Sequence, residues 1–373
     1  MKEEHYKLVP FEVSILLIAM ITSIGILTLP KTLATEMNNP DGWISILISG
    51  MIMMFLLHLY VKLQRNFPGE NLLQFLKKST FGFFIAKTIA VMFIVNFIGV
   101  VAFDVRLLAI VLKMYLLDQT PSEIIIAVML LTSTYAVSKG LQGITHLSLL
   151  FVPIVIGIMV VMLISNIPNG DFDELLPIMG DGVLQIDEGI RHGIIHFAGI
   201  KILFFLMAYM DKKHLKSFPL NTGLGLTVLL KAFAVVVSFA VFSVNMNKTI
   251  IFPTIELGKE IEIVGGFIER LESLLLVIWI MTIFLTLALA QYLSIKLIHE
   301  EFLRQKKGFY LLGTVVFIIF LVSFIPDSIS EIEYLIIVLE SYSFLLIIFS
   351  LLCGYVILWI RRKKKKIVTE NSL

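Results

Sequence analysis

The feature that most constrains this sequence is a series of apolar runs of about 20 residues, separated by short clusters of charged residues. A helix of that length crosses a hydrocarbon core of ~30 Å. Hydrophobic residues make up 58% of the chain, whereas soluble domains are about 45–50% apolar. Because lipid offers no hydrogen-bond partner to the backbone, each run must be helical. The sequence therefore predicts an all-α polytopic membrane protein.

The apolar runs predict about ten membrane spans, which make residues 1–373 a single transmembrane domain. Their approximate bounds are 11–36, 41–61, 83–113, 122–138, 145–164, 192–209, 217–245, 268–297, 309–325 and 332–360. The sixth is the least hydrophobic, because His192, His196 and Lys201 interrupt it. The run from Phe11 is too long for a cleavable signal peptide, so we expect the first span to stay in the protein.

Basic residues concentrate in alternate loops and in a tail over 361–373. They are Lys62, Arg65, Lys77, Lys78, Lys139, Lys212, Lys213, Lys216, Arg304, Lys306, Lys307 and the run 361–366. The other loops are acidic or nearly uncharged, as in the stretch from Asp171 to Glu174. Positively charged loops stay on the cytoplasmic side of a membrane, so we expect both termini to be cytoplasmic.

Two spans are interrupted by residues that break helices. In span one, the break precedes Pro30 and contains Thr22, Ser23, Gly25, Ile26 and Leu27. In span six, the break follows Gly193 and contains Phe197, Ala198, Gly199 and Lys201. Many transporters consist of two inverted repeats whose first helices are discontinuous at the substrate site. Ten spans divide into repeats at about 11–164 and 186–360, which makes spans one and six correspond. Unwound backbone needs a polar partner, and a half-helix N-terminus suits a carboxylate, so the pair predicts a site for an amino-acid-sized ligand.

Ionisable residues within the spans need a partner or a function, because charge in a bilayer is costly. Asp104 and Arg106 diverge on their helix, so each either finds a partner on another helix or, as Arg106 could by its place near the outer end, reaches the outer surface. Lys201 either contacts the ligand, replaces a coupling cation or pairs with Asp104. Lys231 either reaches the membrane surface or pairs with Glu340. On span three, Asn96 and Phe103 share a stripe, with Gly99 and Val100 beside it, that either lines a cavity or packs in the core.

Span eight begins with three charged residues, Glu269, Arg270 and Glu272, to which we assign a structural or gating role, as we do to Pro30 and Asp104. The sequence has no nucleotide-binding loop, nucleophile elbow or clustered metal ligands. We therefore expect neither an enzyme, nor a cofactor, nor a metal site. The basic residues are dispersed near the membrane, which argues against nucleic-acid binding.

Two segments resemble motifs of a known family, the B subunits of spore germinant receptors. The first is the run from Thr22 to Lys31. The second is the run Phe252 to Leu257 followed by the run Phe267 to Ser273 and Trp279. Length and span number also match this family from end to end. The family pattern has a second Gly at the position of Ile26 and an acidic residue at that of Lys201, and this chain has neither.

The resemblance implies a member of the amino acid–polyamine–organocation transporter superfamily, folded like the bacterial leucine transporter. It implies a sensor of a small nutrient, an amino acid or a nucleoside, in the inner membrane of the endospore. The implied protein partners are the A subunit, a membrane protein, and the C subunit, a lipoprotein. The lipid bilayer is the third implied partner. Two other hypotheses stay open: a proton-coupled or facilitative amino-acid permease, and a scaffold that anchors the other subunits.

Overall fold

The computed structural model describes residues 6–23, 25–79, 82–180, 183–260, 271–303 and 310–370. Within these ranges the chain is built from α-helices joined by turns and short 3-10 helices. The α-helices are α1 (Pro10–Thr22), α2 (Gly25–Met37), α3 (Gly42–Gln64), α4 (Leu72–Lys77), α5 (Gly82–Tyr115), α6 (Ser122–Ser138), α7 (Gly140–Ser165), α8 (Val183–Ile195), α9 (Leu203–Leu206), α10 (Ser217–Thr249), α11 (Pro253–Glu256), α12 (Leu271–Ile298), α13 (Leu311–Val322) and α14 (Ile329–Glu370).

The helices long and apolar enough to span a membrane number seven among the described residues, and the bent pair α1 and α2 makes an eighth. The shorter apolar helices α6 and α13 lie at predicted spans four and nine. The all-α polytopic architecture is therefore confirmed. Helix α13 has 12 residues, about 18 Å at 1.5 Å per residue, which is less than the ~30 Å of a hydrocarbon core.

Spans one and six are both discontinuous, as the sequence predicts. Helices α1 and α2 meet at an angle of 51° beside Ser23. In span six, α8 ends at Ile195, a turn follows at His196 and Phe197, and a 3-10 helix at Ala198–Ile202 leads into α9. Helix α1, which leads to the first break, is capped at its N-terminus, because the Glu12 carboxylate accepts a hydrogen bond from the Val9 backbone N–H at 2.9 Å.

The broken spans pack against the longest helices of the bundle. Helix α10 packs against α1, α2 and α3, and α12 packs against α5, α6 and α7. Helix α14 lies against α5 and against the 3-10 helix of span six. Helix α14 also continues to Glu370, beyond the predicted end of span ten, because the Arg and Lys run favours helix and contains neither Gly nor Pro.

Both ends of the described chain lie on one face of the bundle, here called the chain-end face. Lys7 pairs with Asp211 at 2.7 Å, and the Arg65 side chain donates to the Leu215 carbonyl at 2.7 Å. Near the other end, Arg362 donates to the Asn66 side chain at 3.1 Å. Both the N-terminal segment and the end of α14 therefore lie beside the loops that follow α3 and α9.

Candidate functional site

The first break is held open by side chains from other spans. The indole N–H of Trp279 on α12 donates to the Ser23 carbonyl at 3.1 Å. The hydroxyl of Thr286, also on α12, donates to the Ala19 carbonyl at 3.1 Å, and Thr254 on α11 donates to the Ile26 carbonyl at 2.7 Å. Buried carbonyls that lose their helical partner need such donors. The interrupted backbone is thus a built feature of the fold.

The second break is in direct contact with the first. A Cβ atom added to Gly199 would lie 2.9 Å from the Ile21 side chain and 3.2 Å from the Met20 carbonyl oxygen. A Cβ atom added to Gly25 would lie 2.9 Å from Nδ1 of His196. The two distances of 2.9 Å are shorter than Cβ contacts normally are, so a larger residue at either glycine would force its neighbours to shift where the two breaks touch.

A central cavity of about 40 Å³ lies where the breaks meet. Its lining comes from α1, α2, α5, span six, α12 and α14: Met20, Ile21, Ser23, Gly25, Val100, Asp104, His196, Ala198, Gly199, Lys201, Thr286, Ile336, Leu339 and Glu340. Pockets that bind small molecules usually enclose ~300–1,000 Å³. In this conformation the central cavity has room for water but must widen to admit a small-molecule ligand.

The lining of the central cavity contains both acidic and basic side chains. Asp104 is 8% exposed and Lys201 is 2% exposed, so both are buried at the depth of the breaks. The Lys201 ammonium donates to the Ser343 hydroxyl at 2.8 Å, and its charge interacts with the carboxylates of Glu340 and Asp104. Nδ1 of His196 lies 3.5 Å from Oε2 of Glu340. A ligand that is both a cation and an anion would find a partner for each charge here.

Six of the predicted site residues line the central cavity together: Ser23, Gly25, Asp104, Ala198, Gly199 and Lys201. The first break contributes two of them, and the second break contributes three. Asp104, predicted as structural or gating, reaches the cavity from α5. These residues come from separate parts of the sequence, and the contact between the breaks brings them to one place.

The remaining predicted ligand-binding residues lie outside the lining. In span one, Thr22 donates its hydroxyl to the Ile18 carbonyl, while Ile26 and Leu27 are buried in the core. Phe197 is fully buried beneath the Lys231 ammonium. Their assignment as ligand contacts stays a prediction, which a structure of the protein with a wider central cavity would test.

On α5, the predicted stripe faces α14 rather than the central cavity. Asn96 donates to the Ser343 hydroxyl at 2.7 Å, and a Cβ atom on Gly99 would lie 3.0 Å from the Leu339 side chain. Phe103 packs against the core. Val100 and Asp104, four residues apart, present the face that does line the cavity. Heptad spacing identified a stripe but not which neighbour it meets.

Of the residues given a structural or gating role, Pro30 is buried inside α2. Glu269 and Arg270 lie outside the described residues, and Glu272 is described as part of the α12 backbone. Arg106 donates to the Pro326 carbonyl at 3.4 Å and lies 5.2 Å from the Phe324 ring, away from Asp104. The two charges on α5 therefore have separate environments, as helical geometry predicts.

Glu340 and His196 are the site residues for which sequence reasoning had no specific role in ligand binding. An acidic residue within span ten and a histidine at the second break were the available signals. What the sequence does not contain is the contact between α8 and α14 that brings them within 3.5 Å. Ile336 and Leu339 complete the same side of the cavity and read in the sequence as ordinary apolar residues of span ten.

Two further pockets flank the central cavity. On the face opposite the chain ends, a pocket of about 140 Å³ contains the ion pair of Lys31 and Glu333, with both N–O distances at 2.9 Å. His196 and Ile336 line both this pocket and the central cavity, so they separate the two. On the chain-end face, a pocket of about 540 Å³ lies beside the pair of Lys7 and Asp211.

The architecture is similar to that of solved transporters. The chain superposes on Mhp1, a nucleobase-cation-symport-1 family transporter in a closed conformation, with a TM-score of 0.67, covering 89% of this chain and 75% of that one at 14% identity. A Na⁺-coupled sialic acid symporter gives a TM-score of 0.62, with coverage of 86% and 74% at 11% identity. These similarities establish the fold, that of the bacterial leucine transporter with its broken helices one and six.

The sequence is similar to spore germination proteins of bacilli. It is 28% identical to spore germination protein A2 of Bacillus subtilis (strain 168) over 347 residues, which cover 93% of each chain. It is 27% identical to spore germination protein GerLB of Bacillus cereus, with 86% of each chain covered. The model of the family described as spore germination protein matches residues 7–332. The chain therefore belongs to this family of spore germination permeases, multi-pass membrane proteins related by fold to transporters.

Proposed function

We propose that this protein is the B subunit of a spore nutrient receptor, and that it binds a small germinant in the central cavity. The observation that carries the proposal is the contact between the two breaks, which encloses a buried cavity with charges of both signs. In this proposal the ligand is an amino acid or a nucleoside, and its binding changes the packing of spans one and six.

The charges support an assignment of roles within the site. Lys201 and the N-terminus of α2 at Gly25 suit a carboxylate or another acceptor, because both carry positive charge toward the cavity. Asp104 and Glu340 suit an amine or a ring N–H. Because Lys201 already donates a hydrogen bond to the Ser343 hydroxyl, an incoming ligand would exchange this internal contact for its own.

Binding to the purified full-length protein in nanodiscs tests the site. Radiolabelled amino acids and nucleosides are screened first, and the ligand found is then measured on variants. Lys201→Met removes a charge-assisted hydrogen bond of ~1.5–3 kcal/mol, so we expect the Kd to rise by about 10- to 100-fold. Asp104→Asn tests the opposite pole of the ligand in the same way.

Glycine variants test the place of binding. Gly25→Leu and Gly199→Leu add bulk where the breaks touch, whereas Gly157 and Gly313 have nothing within 4 Å of an added Cβ and provide matched controls as Gly157→Leu and Gly313→Leu. We expect binding to be lost in the first two and kept in the controls. Unchanged binding in folded Gly25→Leu or Gly199→Leu protein would contradict the proposed site.

The proposal includes a location and two partners. The receptor would lie in the inner membrane of the endospore, with both termini on the spore core side and with an A subunit and a C subunit, a lipoprotein, bound to it. Co-purification of these subunits with the tagged protein from spores tests this part. Assembly and a full germination response in every cavity variant would instead favour a scaffold.

The second candidate is a proton-coupled or facilitative amino-acid permease. It is favoured by the acidic groups of Asp104, which is buried, and of Glu340, whose Oε2 atom is buried, within the spans of a transporter fold. Concentrative uptake by proteoliposomes under an imposed pH gradient, abolished by Lys201→Met, would support this function. Ligand binding without concentrative uptake would support the receptor.

A further inference from the structure

Lys231 is a fully buried lysine that does not line the central cavity. A lysine in a membrane span usually extends its side chain so that the ammonium reaches the surface. Lys231 lies on α10 with an exposure of 0%, so its charge stays inside the bundle. Burying an ammonium is unfavourable unless partners compensate for the lost water, so its surroundings indicate its role.

The Lys231 ammonium lies between the two broken spans. It donates to the His196 carbonyl at 2.8 Å, in the turn between α8 and the following 3-10 helix. It lies 4.8 Å from the centroid of the Phe197 ring, in the same turn. On its other side, it lies 3.2 Å from the position of a Cβ atom on Gly25, the first residue of α2.

The electrostatic setting is that of a bound cation. A carbonyl released from a helix carries partial negative charge, and unwound carbonyls in transporters coordinate metal cations for this reason. The ring face of Phe197 adds a further negative surface. The carboxyl group of Glu340, which lies beside His196, interacts electrostatically with the Lys231 ammonium.

We propose that Lys231 is a tethered cation that joins the two breaks and holds the central cavity closed. The Lys231 side chain extends from α10, which packs against α1 and α2. Its ammonium therefore links span seven to spans one and six. Lys231 is thus a positioning residue for the cavity. Its role does not depend on which ligand enters, so it can be tested without one.

The first test separates the charge of Lys231 from its volume. Lys231→Ala removes the atoms of one propylammonium ion, and 1-propanol has the same length without the charge. In thermal unfolding of the full-length protein, we expect a lower midpoint for Lys231→Ala that propylammonium raises and propanol does not. Lys113→Ala, at the partly exposed end of α5, is the control and should respond to neither. Equal recovery with both compounds would overturn the proposal.

The second test measures closure directly. Ile336 lines both the central cavity and the pocket on the opposite face, so Ile336→Cys in a Cys353→Ser background reports access between them. We expect a thiol reagent to label position 336 about tenfold faster when Lys231→Ala is added, a shift of ~1.4 kcal/mol. Propylammonium should return the rate to that of the parent.

Lys231→Met provides a neutral variant of similar size, which keeps the proposal testable if Lys231→Ala does not fold. We expect it to increase labelling at position 336 without recovery by propylammonium, because the space is filled. Labelling equal to that of the parent would overturn the proposal. So would a dependence of the parent's unfolding midpoint on NaCl relative to choline chloride at equal ionic strength, since a tethered cation requires no metal ion.

Discussion

Ser243 has a backbone conformation that residues other than glycine rarely adopt. Its φ of 55° and ψ of 166° interrupt α10 near the end that faces away from the chain ends. Asn247 stabilises the interruption, because its amide donates to the Ser238 carbonyl at 2.9 Å and to the Ser243 carbonyl at 2.7 Å. A non-glycine residue in this region costs about 1–3 kcal/mol.

Ser243→Gly should therefore stabilise the protein. Glycine relieves the strain and loses only the long contact from the Met246 N–H to the serine hydroxyl at 3.4 Å. We expect a higher midpoint of thermal unfolding in detergent. Ser243→Ala keeps the Cβ atom and loses the hydroxyl, so its midpoint should not rise. A rise in both variants would mean that the hydroxyl, rather than φ, is unfavourable.

At the scale of single residues, the sequence identified the residues that interrupt a helix and the ionisable residues within the spans. Ser23, Gly25, Gly199, Lys201 and Asp104 were found because such residues are unusual within apolar runs. The sequence also offered Asp104 as a partner of Lys201 and Glu340 as a partner of Lys231, and each acid interacts electrostatically with its lysine. The hydrogen-bond partner of each ammonium could not be read in the same way. Lys231 donates to a backbone carbonyl of span six, and no side-chain pattern encodes a contact with a carbonyl.

At the scale of elements, α12 braces the first break. The hydrogen bond from Trp279 to the Ser23 carbonyl joins a continuous helix to a discontinuous one. Trp279→Phe keeps an aromatic ring and leaves that carbonyl without this donor, which costs about 1–3 kcal/mol in a buried site. We expect a lower unfolding midpoint than in Trp359→Phe, a control at a residue that is 63% exposed. Equal unfolding midpoints of Trp279→Phe and Trp359→Phe would contradict a stabilising role of the Trp279 hydrogen bond.

The other end of α12 is fixed by a buried carboxylate. Glu301, in the π-helical segment His299–Leu303, pairs with Lys77 of α4 at 2.5 Å and with Lys87 of α5 at 3.7 Å. Glu301→Gln leaves two lysines without this partner. We expect a loss of about 1–3 kcal/mol, less than the ~3–5 of a fully buried pair, because both lysines are partly exposed.

Glu300→Gln is the matched control for Glu301→Gln, because Glu300 is the adjacent residue and its side chain is 31% exposed. Chemical or thermal unfolding of both variants gives the comparison. A smaller effect at Glu301 than at Glu300 would contradict the proposed anchoring of α12 to α4 and α5.

The long apolar elements were predictable, and the short ones were not. Hydropathy located the spans because each must match the thickness of a bilayer. Helices α4 and α11 have 6 and 4 residues, too few for periodicity to indicate helix. Both short helices contribute contacts that stabilise the bundle. Thr254 of α11 donates a hydrogen bond at the first break, and Lys77 of α4 forms an ion pair with Glu301.

At the scale of the whole molecule, the two ends of the described chain lie on the same face. Lys7→Cys and Lys363→Cys, each in a Cys353→Ser background, should therefore react with an impermeant maleimide from the same side of the membrane. Asp173→Cys, in the exposed loop after α7, should react from the other side. The excess of basic residues predicts that the first two are cytoplasmic. Opposite labelling of Lys7→Cys and Lys363→Cys would contradict this topology.

The small volume of the central cavity has a consequence for the time course of a response. A cavity of about 40 Å³ cannot accept the proposed nutrient ligand by diffusion alone, so under the proposed function the protein must first visit a wider state. The observed association rate should then level off at high nutrient concentration, at the frequency with which the protein opens. For the proposed receptor in a dormant cell, that frequency would set the shortest delay before a signal, however abundant the nutrient becomes.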